Sequence, residues 1–237
     1  MMSYRKQISV YLVLLGIVIF IFEFTNIDIF VQDYFYLKEA HRWVIDRHEP
    51  IMRFLFYTGS KVVIIIIGVS CFVGWFLSYR NEKLKKLRRN FILMSLSLTI
   101  VPLTISGLKN FSNVYTPSQT IRYGGSLPRV KVFESFPDDF YPTRRGRGWP
   151  AGHASGGFAL MALYFAFIKK SMKFIGLFIG LTAGWVMGLY QTFNGQHYLS
   201  HTIVTMLIAW ILIITINRLC QYDRIDKMRG KCFNLTL

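Results

Sequence analysis

Apolar residues occur along this chain in long runs that carry almost no charge. Six such runs stand out: residues 8–24, 62–78, 91–108, 153–168, 174–193 and 202–217. Each is close to the roughly 20 residues that an α-helix needs to cross the hydrocarbon core of a bilayer, and the shorter ones reach that length only marginally. The pattern predicts an all-α polytopic membrane protein with six transmembrane helices, formed by a single domain over residues 1–237.

The distribution of positive charge predicts which side of the membrane each loop faces. If both termini and the segments 80–89 and 169–173 lie in the cytoplasm, these parts hold 16 of the 28 Lys and Arg residues and only three acidic residues. The loops on the other side hold the remaining 12 basic residues and 8 acidic ones. Because Lys and Arg in short loops favour the cytoplasmic side, we expect a bacterial inner-membrane protein with both termini inside.

Composition and charge narrow the classes of function. Hydrophobic residues make up 53% of the 237-residue chain, which is rare for a soluble domain. The net charge of +16 indicates orientation rather than nucleic-acid binding, because no soluble segment combines clustered basic residues with aromatic ones. None of the three cysteines lies in a predicted periplasmic loop, so we expect no disulfide bonds there. The first run lacks a small-residue cleavage site and is not expected to be a signal peptide.

The connection at residues 26–61 is the first long segment on the predicted periplasmic side. Its apolar residues recur at roughly helical spacing, and Pro50 is predicted to divide it into two helices. We expect these helices to lie along the membrane interface, and a plain surface connector fits the pattern equally well. His41 and His48, within this segment, are expected to be merely exposed.

The second long connection, residues 109–149, is rich in Pro and Gly, which predicts little regular structure. A loop of this length is uncommon unless it binds or covers something. After Lys109 its six basic residues either face anionic headgroups as solvated side chains or form a lid that holds phosphate: Arg122, Arg129, Lys131, Arg144, Arg145 and Arg147. The lid is favoured for residues 144–147 because they lie just before His153.

Three of the five histidines lie at the ends of apolar runs, where ionisable side chains are costly and commonly functional. His153, His197 and His201 are expected at the same face of the helix bundle as Lys109. His197 and His201 are four residues apart, so in a helix they share a face and their rings can hydrogen-bond. Hydrolysis of a phosphate ester needs a nucleophile, a proton donor for the leaving group and positive donors around the phosphoryl oxygens. Histidines can supply the first two, and Lys109 with the N–H groups at a helix start can supply the third.

At these positions the chain resembles the type 2 phosphatidic acid phosphatase family, which shares its helical core with vanadium haloperoxidases. The family's motifs are Lys-x6-Arg-Pro, Pro-Ser-Gly-His and Arg-x5-His-x3-Asp. The corresponding segments here are 109–117, 150–153 and 191–201, which read Lys-x6-Thr-Pro, Pro-Ala-Gly-His and Gln-x5-His-x3-His. Their order and spacing resemble a bacterial membrane branch of the family, and the resemblance covers nearly the whole chain.

The resemblance implies a role for each of these residues. His197 would attack the phosphorus and form a phosphohistidine, His153 would protonate the leaving lipid oxygen, and His201 would orient the nucleophile in place of Asp. The phosphate-binding set would comprise the motif residues and the arginines nearest to them in sequence: Lys109, Gly152, Ala151, Gln191, Arg122, Arg144, Arg145 and Arg147. No motif has the carboxylate-rich pattern of a magnesium site, so we expect no metal and no cofactor. Taken singly, His153 and His197 also fit purely structural roles.

The sequence leaves three functions open. The leading prediction is a lipid phosphatase that acts on the periplasmic side on lipid A phosphates, undecaprenyl pyrophosphate, phosphatidate or phosphatidylglycerophosphate. A phosphotransferase that passes the phosphoryl group to another lipid would use the same residues. A non-catalytic lipid-binding or transport protein is the third alternative because both motif arginines and the Asp are replaced, yet the polar residues cluster at span ends and not at mid-bilayer. The expected partners are the bilayer and a membrane lipid phosphate, without nucleic acid, and the oligomeric state is not indicated.

Overall fold

The structure is a computed structural model that describes residues 3–142 and 144–233, with side chains described to residue 221. Over these residues ten α-helices follow in chain order: α1 (Tyr4–Phe24), α2 (Ile27–Asp33), α3 (Pro50–Arg53), α4 (Ser60–Leu77), α5 (Glu82–Lys85), α6 (Arg88–Lys109), α7 (Gly152–Ala159), α8 (Leu163–Ala166), α9 (Lys170–Phe193) and α10 (Leu199–Phe233). A π-helix, Phe54–Gly59, joins α3 to α4, and three 3₁₀ turns complete the helical segments: Pro117–Gln119, Ile121–Tyr123 and Leu160–Ala162. The predicted domain, 1–237, also includes residues 1–2, 143 and 234–237, which lie outside the described part.

The predicted mostly helical character is confirmed, since helices account for 69% of the chain. Five segments of the described chain are long and apolar enough to cross a membrane: Tyr4–Phe24, Pro50–Leu77, Arg88–Lys109, Lys170–Phe193 and Leu199–Gln221. Along α1 no residue is buried, and large apolar side chains such as Val13 and Phe20 remain exposed. This exposure is typical of a helix that faces lipid, because lipid tails solvate apolar side chains as well as a protein core does.

The fourth predicted span, residues 153–168, does not form one long helix. α7 ends at Ala159, and the 3₁₀ turn Leu160–Ala162 and α8 continue the chain in short pieces. A glycine in α9 explains how closely this segment is packed: a Cβ on Gly180 would overlap the backbone nitrogen of Met161. Small residues of this kind let two helical segments meet backbone to backbone. The segment thus lies mostly in the buried core of the bundle as far as Ala162, while Ile168 at its end is exposed. Its crossing of the membrane as a sixth span stays a prediction.

The segment 26–61 differs from its predicted pair of helices. α2 and α3 are short, and between them the chain forms an antiparallel hairpin of β1 (Tyr36–Leu37) and β2 (Arg42–Trp43), with Tyr36 opposite Trp43. The helical prediction was wrong here because aromatic residues that pair across a two-stranded ribbon also fit a helical spacing. The hairpin packs against the turn between α9 and α10, where the Trp43 ring covers Gly195, a residue with φ of +73°.

The long loop after α6 has little regular structure, as predicted: two 3₁₀ turns and a single bridge between Thr120 and Leu127 occur in its described residues. Polar contacts attach it to the first part of the chain. The Glu23 carboxylate accepts hydrogen bonds from the backbone N–H groups of Val132 and Phe133. The loop is therefore held across the same end of the bundle at which α6 ends and α7 and α10 begin.

Candidate active site

The three predicted catalytic histidines lie in a row with His197 in the middle. Nδ1 of His153 is 3.4 Å from Nε2 of His197, and Nδ1 of His197 is 3.4 Å from Nδ1 of His201. His197 and His201 are 1% and 2% exposed. The two ring nitrogens of His197 therefore face different partners: Nε2 faces His153, and Nδ1 faces His201.

The backbone around His197 fixes the position of its ring. His197 lies in the tight turn between α9 and α10, and the carbonyl of Gln191 accepts hydrogen bonds from the N–H groups of Gln196 and His197, at 2.8 and 3.1 Å. Ser200, in the first turn of α10, donates its N–H to the buried Asp28 carboxylate at 3.0 Å and its hydroxyl to the other oxygen. The turn is thus held by hydrogen bonds from both sides.

Lys109 and the start of α7 meet beside the histidines. Lys109 is the last residue of α6, and its Nζ lies 3.4 Å from where a Cβ on Gly152 would be. Gly152 and His153 form the first turn of α7, whose N–H groups carry the positive end of the helix dipole. This end of the bundle therefore combines an ammonium group with a helix N-terminus, an arrangement that suits an anion.

Burial sets the protonation state of the central imidazole. Desolvation lowers the pKa of His197 well below its usual value, and the charge of Lys109 and those of His153 and His201 in their protonated forms act in the same direction, against a hydrogen bond with the Gly148 backbone. His197 is therefore neutral at physiological pH. A neutral ring keeps the lone pair that a nucleophile needs.

Two cavities of different character meet at His153 and Tyr57. The larger, about 630 Å³, runs between α4, α6 and α7. It is lined mainly by apolar side chains such as Ile64, Leu98 and Phe72, and Lys109 also lines it. The smaller, about 230 Å³, is lined by polar and charged residues: Arg47, His48, Arg53, Tyr57, His153, Tyr190, Gln191, Asn194 and Gln196. The Tyr57 ring packs on the His153 ring with centroids 4.8 Å apart. His153 thus separates an apolar groove from a polar basin.

The arginines predicted to hold phosphate have other partners. Arg122 forms a forked pair with the Asp33 carboxylate, whose pKa is lowered chiefly by this hydrogen bond. Arg145 and Arg147 donate to the backbone oxygen and the side chain of Asn110, at 3.1 and 2.7 Å. Both arginines are therefore held at the residue that follows Lys109.

The remaining predicted positions fall at the edges of the site. Arg144 is exposed, and its carbonyl accepts the hydroxyl of Tyr115 at 2.9 Å. The N–H of Ala151 donates to Thr205 Oγ1 at 2.9 Å, so this amide is already engaged inside the core. Gln191 is buried and lines the polar basin.

Sequence reasoning missed the residues that the first part of the chain brings to the site. Asp28 and Tyr57 contact Ser200 and His153, and Arg47 and Arg53 line the polar basin. None of them belongs to a motif, and each is at least 96 residues from the nearest predicted catalytic histidine in the sequence. Arg53 and Tyr57 do follow Pro50 at a helix start, but that signal points to secondary structure and not to a site.

Comparison with known proteins identifies one family. Residues 90–225, more than half of the chain, match the PAP2 superfamily. No curated protein and no solved structure matches the chain. The matched region contains Lys109 and the three histidines, whereas the segment that carries Arg47, Arg53 and Tyr57 lies before it.

Proposed function

Because the chain belongs to the PAP2 superfamily, we propose that it is an integral-membrane lipid phosphatase of the type 2 phosphatidic acid phosphatase kind. Membership points to a phosphatase or phosphotransferase activity. One observation carries the finer proposal: the row of His153, His197 and His201 lies where an apolar groove meets a polar basin. A lipid phosphate has the same two parts, an apolar chain and an anionic headgroup.

The proposed reaction has two steps. Nε2 of His197 attacks phosphorus, a P–N bond forms, and the bond from phosphorus to the oxygen on the lipid side breaks. The imidazolium form of His153 gives a proton to that oxygen, so a monophosphate substrate leaves as the lipid alcohol and a pyrophosphate substrate leaves as the lipid monophosphate. Water then attacks the phosphohistidine, His153 takes the proton of that water, and the P–N bond breaks to release inorganic phosphate.

Three groups support the nucleophile and the phosphoryl oxygens in this proposal. For Nε2 to carry the lone pair, Nδ1 of His197 must hold the proton; His201 Nδ1 lies 3.4 Å from it, and the Gly148 backbone hydrogen-bonds the His197 ring. They take the place of the Asp in the family motif. Lys109 and the N–H of Gly152 are the donors proposed for the phosphoryl oxygens, because they adjoin each other beside His153.

The apolar groove supports a lipid substrate over a soluble phosphate ester. Its lining includes Tyr57 and Phe72, which are 15 residues apart along one helical segment and so about 22 Å apart along its axis at about 1.5 Å per residue. That is most of the thickness of a bilayer core, which is about 30 Å. Lipid A phosphates, undecaprenyl pyrophosphate, phosphatidate and phosphatidylglycerophosphate are the proposed substrates. The charge distribution supports an active site on the periplasmic face of a bacterial inner membrane, with both termini in the cytoplasm.

Release of phosphate from a panel of these lipids by the purified protein tests the proposal. We expect turnover in the wild type, none in His197→Ala, and normal turnover in His41→Ala, an exposed histidine outside the site. If the phosphate of the substrate is labelled and the label appears in a second lipid instead of in free phosphate, the protein is a phosphotransferase. Binding without any turnover would show a non-catalytic lipid-binding protein.

A pair of glycine variants tests the groove itself. Gly68 lines the groove, whereas an added Cβ at Gly16 in α1 meets nothing within 4 Å. Gly68→Leu is expected to reduce kcat/KM for a long-chain lipid phosphate about tenfold while a water-soluble phosphate ester is hydrolysed as before, since one added side chain in an apolar pocket changes binding by about 1–3 kcal/mol. Gly16→Leu should leave both substrates unchanged. Equal losses on both substrates would contradict the groove as the site of the lipid chain.

A further inference from the structure

The phosphoryl group in the proposed reaction needs more positive donors than the motif positions supply. Thr116 and Gln191 stand where the family motifs have arginines. Of the loop arginines, Arg122 is paired with Asp33. An enzyme that stabilises a phosphoryl group commonly does so with guanidinium groups, because their planar fork matches two phosphate oxygens. A source of such groups outside the motif positions is therefore to be expected.

The polar basin next to His153 contains two arginines from outside the family-matched region. Arg47 and Arg53 line it together with His153, Gln191 and Gln196. Arg53 is four residues before Tyr57 on the helical segment that leads into α4, so the two side chains lie on the same face. Since the Tyr57 ring packs on His153, this face of the helix is the one turned toward the catalytic histidines.

Both guanidiniums are available to a ligand. Within the described residues the Arg53 side chain forms no hydrogen bond and no ion pair, and Arg47 uses its Nε to donate to Nε2 of His48 at 2.9 Å, which leaves its terminal NH₂ groups. The carboxylates of Asp46 and Glu49, in the same segment, accept backbone N–H groups of His48 and of the first turn of α3, and within the described residues neither forms an ion pair with Arg47 or Arg53. The two guanidiniums can therefore contact a ligand directly, with these carboxylates as neighbouring negative charges.

A buried amide gives a second sign that a ligand enters this basin. Asn194 lines it and is 2% exposed, and its Oδ1 has no hydrogen-bond partner among the described residues. Buried polar atoms of folded proteins are almost always hydrogen-bonded to protein or water, so this acceptor beside a cavity fits a donor that water or a ligand brings into the basin. An O–H group of the phosphate or of its headgroup would donate a hydrogen bond to Oδ1 of Asn194.

From these observations we infer that Arg53, assisted by Arg47, binds the phosphate-bearing headgroup of the lipid substrate in the polar basin and supplies the guanidinium donors that the motif positions lack. The inference rests on the proposed function for its substrate, but it makes a separate claim about anion binding. The segment before α4 thereby becomes part of the active site, although the region matched to the family begins after it.

Binding of inorganic phosphate to the full-length, detergent-purified protein tests the inference without requiring turnover. Isothermal titration calorimetry would compare the wild type with Arg53→Gln, Arg47→Gln and the double variant. We expect Arg53→Gln to raise the Kd for phosphate about tenfold or more, because it removes a charge-assisted hydrogen bond, and Arg47→Gln to have a smaller effect. Arg42→Gln is the matched control, since Arg42 is an exposed arginine of the same segment that does not line the basin.

The outcomes separate this inference from the proposed function. An Arg53→Gln protein that binds phosphate like the wild type, or a wild type that binds none, would overturn the inference. Phosphate binding that depends on Arg53 in a protein that hydrolyses no lipid phosphate would uphold the inference and refute the proposed function. If Arg53→Gln does not fold, Arg53→Lys decides the question, because it keeps the charge and loses the fork; an unchanged Kd there would count against a guanidinium role.

Discussion

Asp28 and Ser200 are 172 residues apart in the chain, and the carboxylate of Asp28 accepts hydrogen bonds from both the backbone N–H and the hydroxyl of Ser200. Ser200 belongs to the first turn of α10 and lies between His197 and His201. The carboxylate therefore satisfies an otherwise unpaired amide at the start of a helix and complements its dipole. Through this contact a residue from the first part of the chain holds the turn that carries the proposed nucleophile.

The first prediction concerns the loss of this contact. Asp28→Ala should lower the free energy of unfolding by about 1–3 kcal/mol, because it leaves buried donors of Ser200 without an acceptor, and should reduce kcat by misplacing His197. Thermal unfolding in detergent and phosphate release measure the two effects. Asp138→Ala, which changes an exposed aspartate of the long loop, should alter neither. A fully active Asp28→Ala protein would show that α10 needs no such cap.

The protonation of Asp28 gives the same contact a signature in pH. Burial raises the pKa of its carboxyl above the usual value, against the hydrogen bonds from Ser200 and the charges of Arg129 and Lys131. The folded state thus takes up this proton at a higher pH than the unfolded state does, so the wild type gains stability relative to Asp28→Asn as the pH falls from 7 toward about 4. A difference in Tm that stays constant over this range would contradict the assignment.

The second prediction concerns Arg122, an arginine that the sequence suggested for phosphate binding. Its guanidinium is paired with Asp33, so Arg122→Ala should leave kcat/KM within about twofold of the wild type. The pair is partly exposed, so its loss should cost no more than about 1 kcal/mol of stability. Activity assays of Arg122→Ala beside Arg53→Gln make the comparison direct. A larger loss of activity in Arg122→Ala would contradict this prediction and show that Arg122 contributes to phosphate binding.

The third prediction concerns the pH dependence of the reaction. Because burial holds the pKa of His197 well below its usual value, the acid limb of kcat/KM due to its protonation should lie below about pH 6.5. His201→Asp would place a carboxylate beside the imidazole and raise the pKa of His197, so the acid limb should move to higher pH. His201→Ala should reduce kcat about 10²-fold, as loss of a group that orients a histidine commonly does. Unchanged profiles in both variants would make His201 a packing residue.

The residues predicted from sequence and those that it missed differ in how they reach the site. Lys109, His153 and His197 stand at helix ends next to apolar runs, so their common location follows from the order of the runs along the chain. Asp28 and Arg53 reach the same place only through the packing of α2 and α3, which no local pattern encodes. For the same reason the apolar spacing within residues 26–61 suggested two helices, although residues 36–43 of that segment form a hairpin that packs around Gly195.

The break in the fourth apolar run shows a second limit of sequence patterns. Residues 153–168 are as apolar as a membrane-spanning helix, and their hydropathy contains no sign of the 3₁₀ turn at Leu160–Ala162. The sign lies in the partner: Gly176, Gly180 and Gly184 recur every four residues along α9 and let the two segments approach closely. Close packing of this kind is visible in the sequence only once the partner of the glycine face is known.

The central claim is that His197 carries the phosphoryl group during the reaction. Rapid quench of the wild type with a lipid substrate labelled in its phosphate, followed by peptide mapping under alkaline conditions that preserve phosphohistidine, measures this directly. We expect a label on His197 that is absent from His197→Ala and present in His41→Ala. A label on any other residue, or phosphate release by His197→Ala at the rate of the wild type, would contradict it.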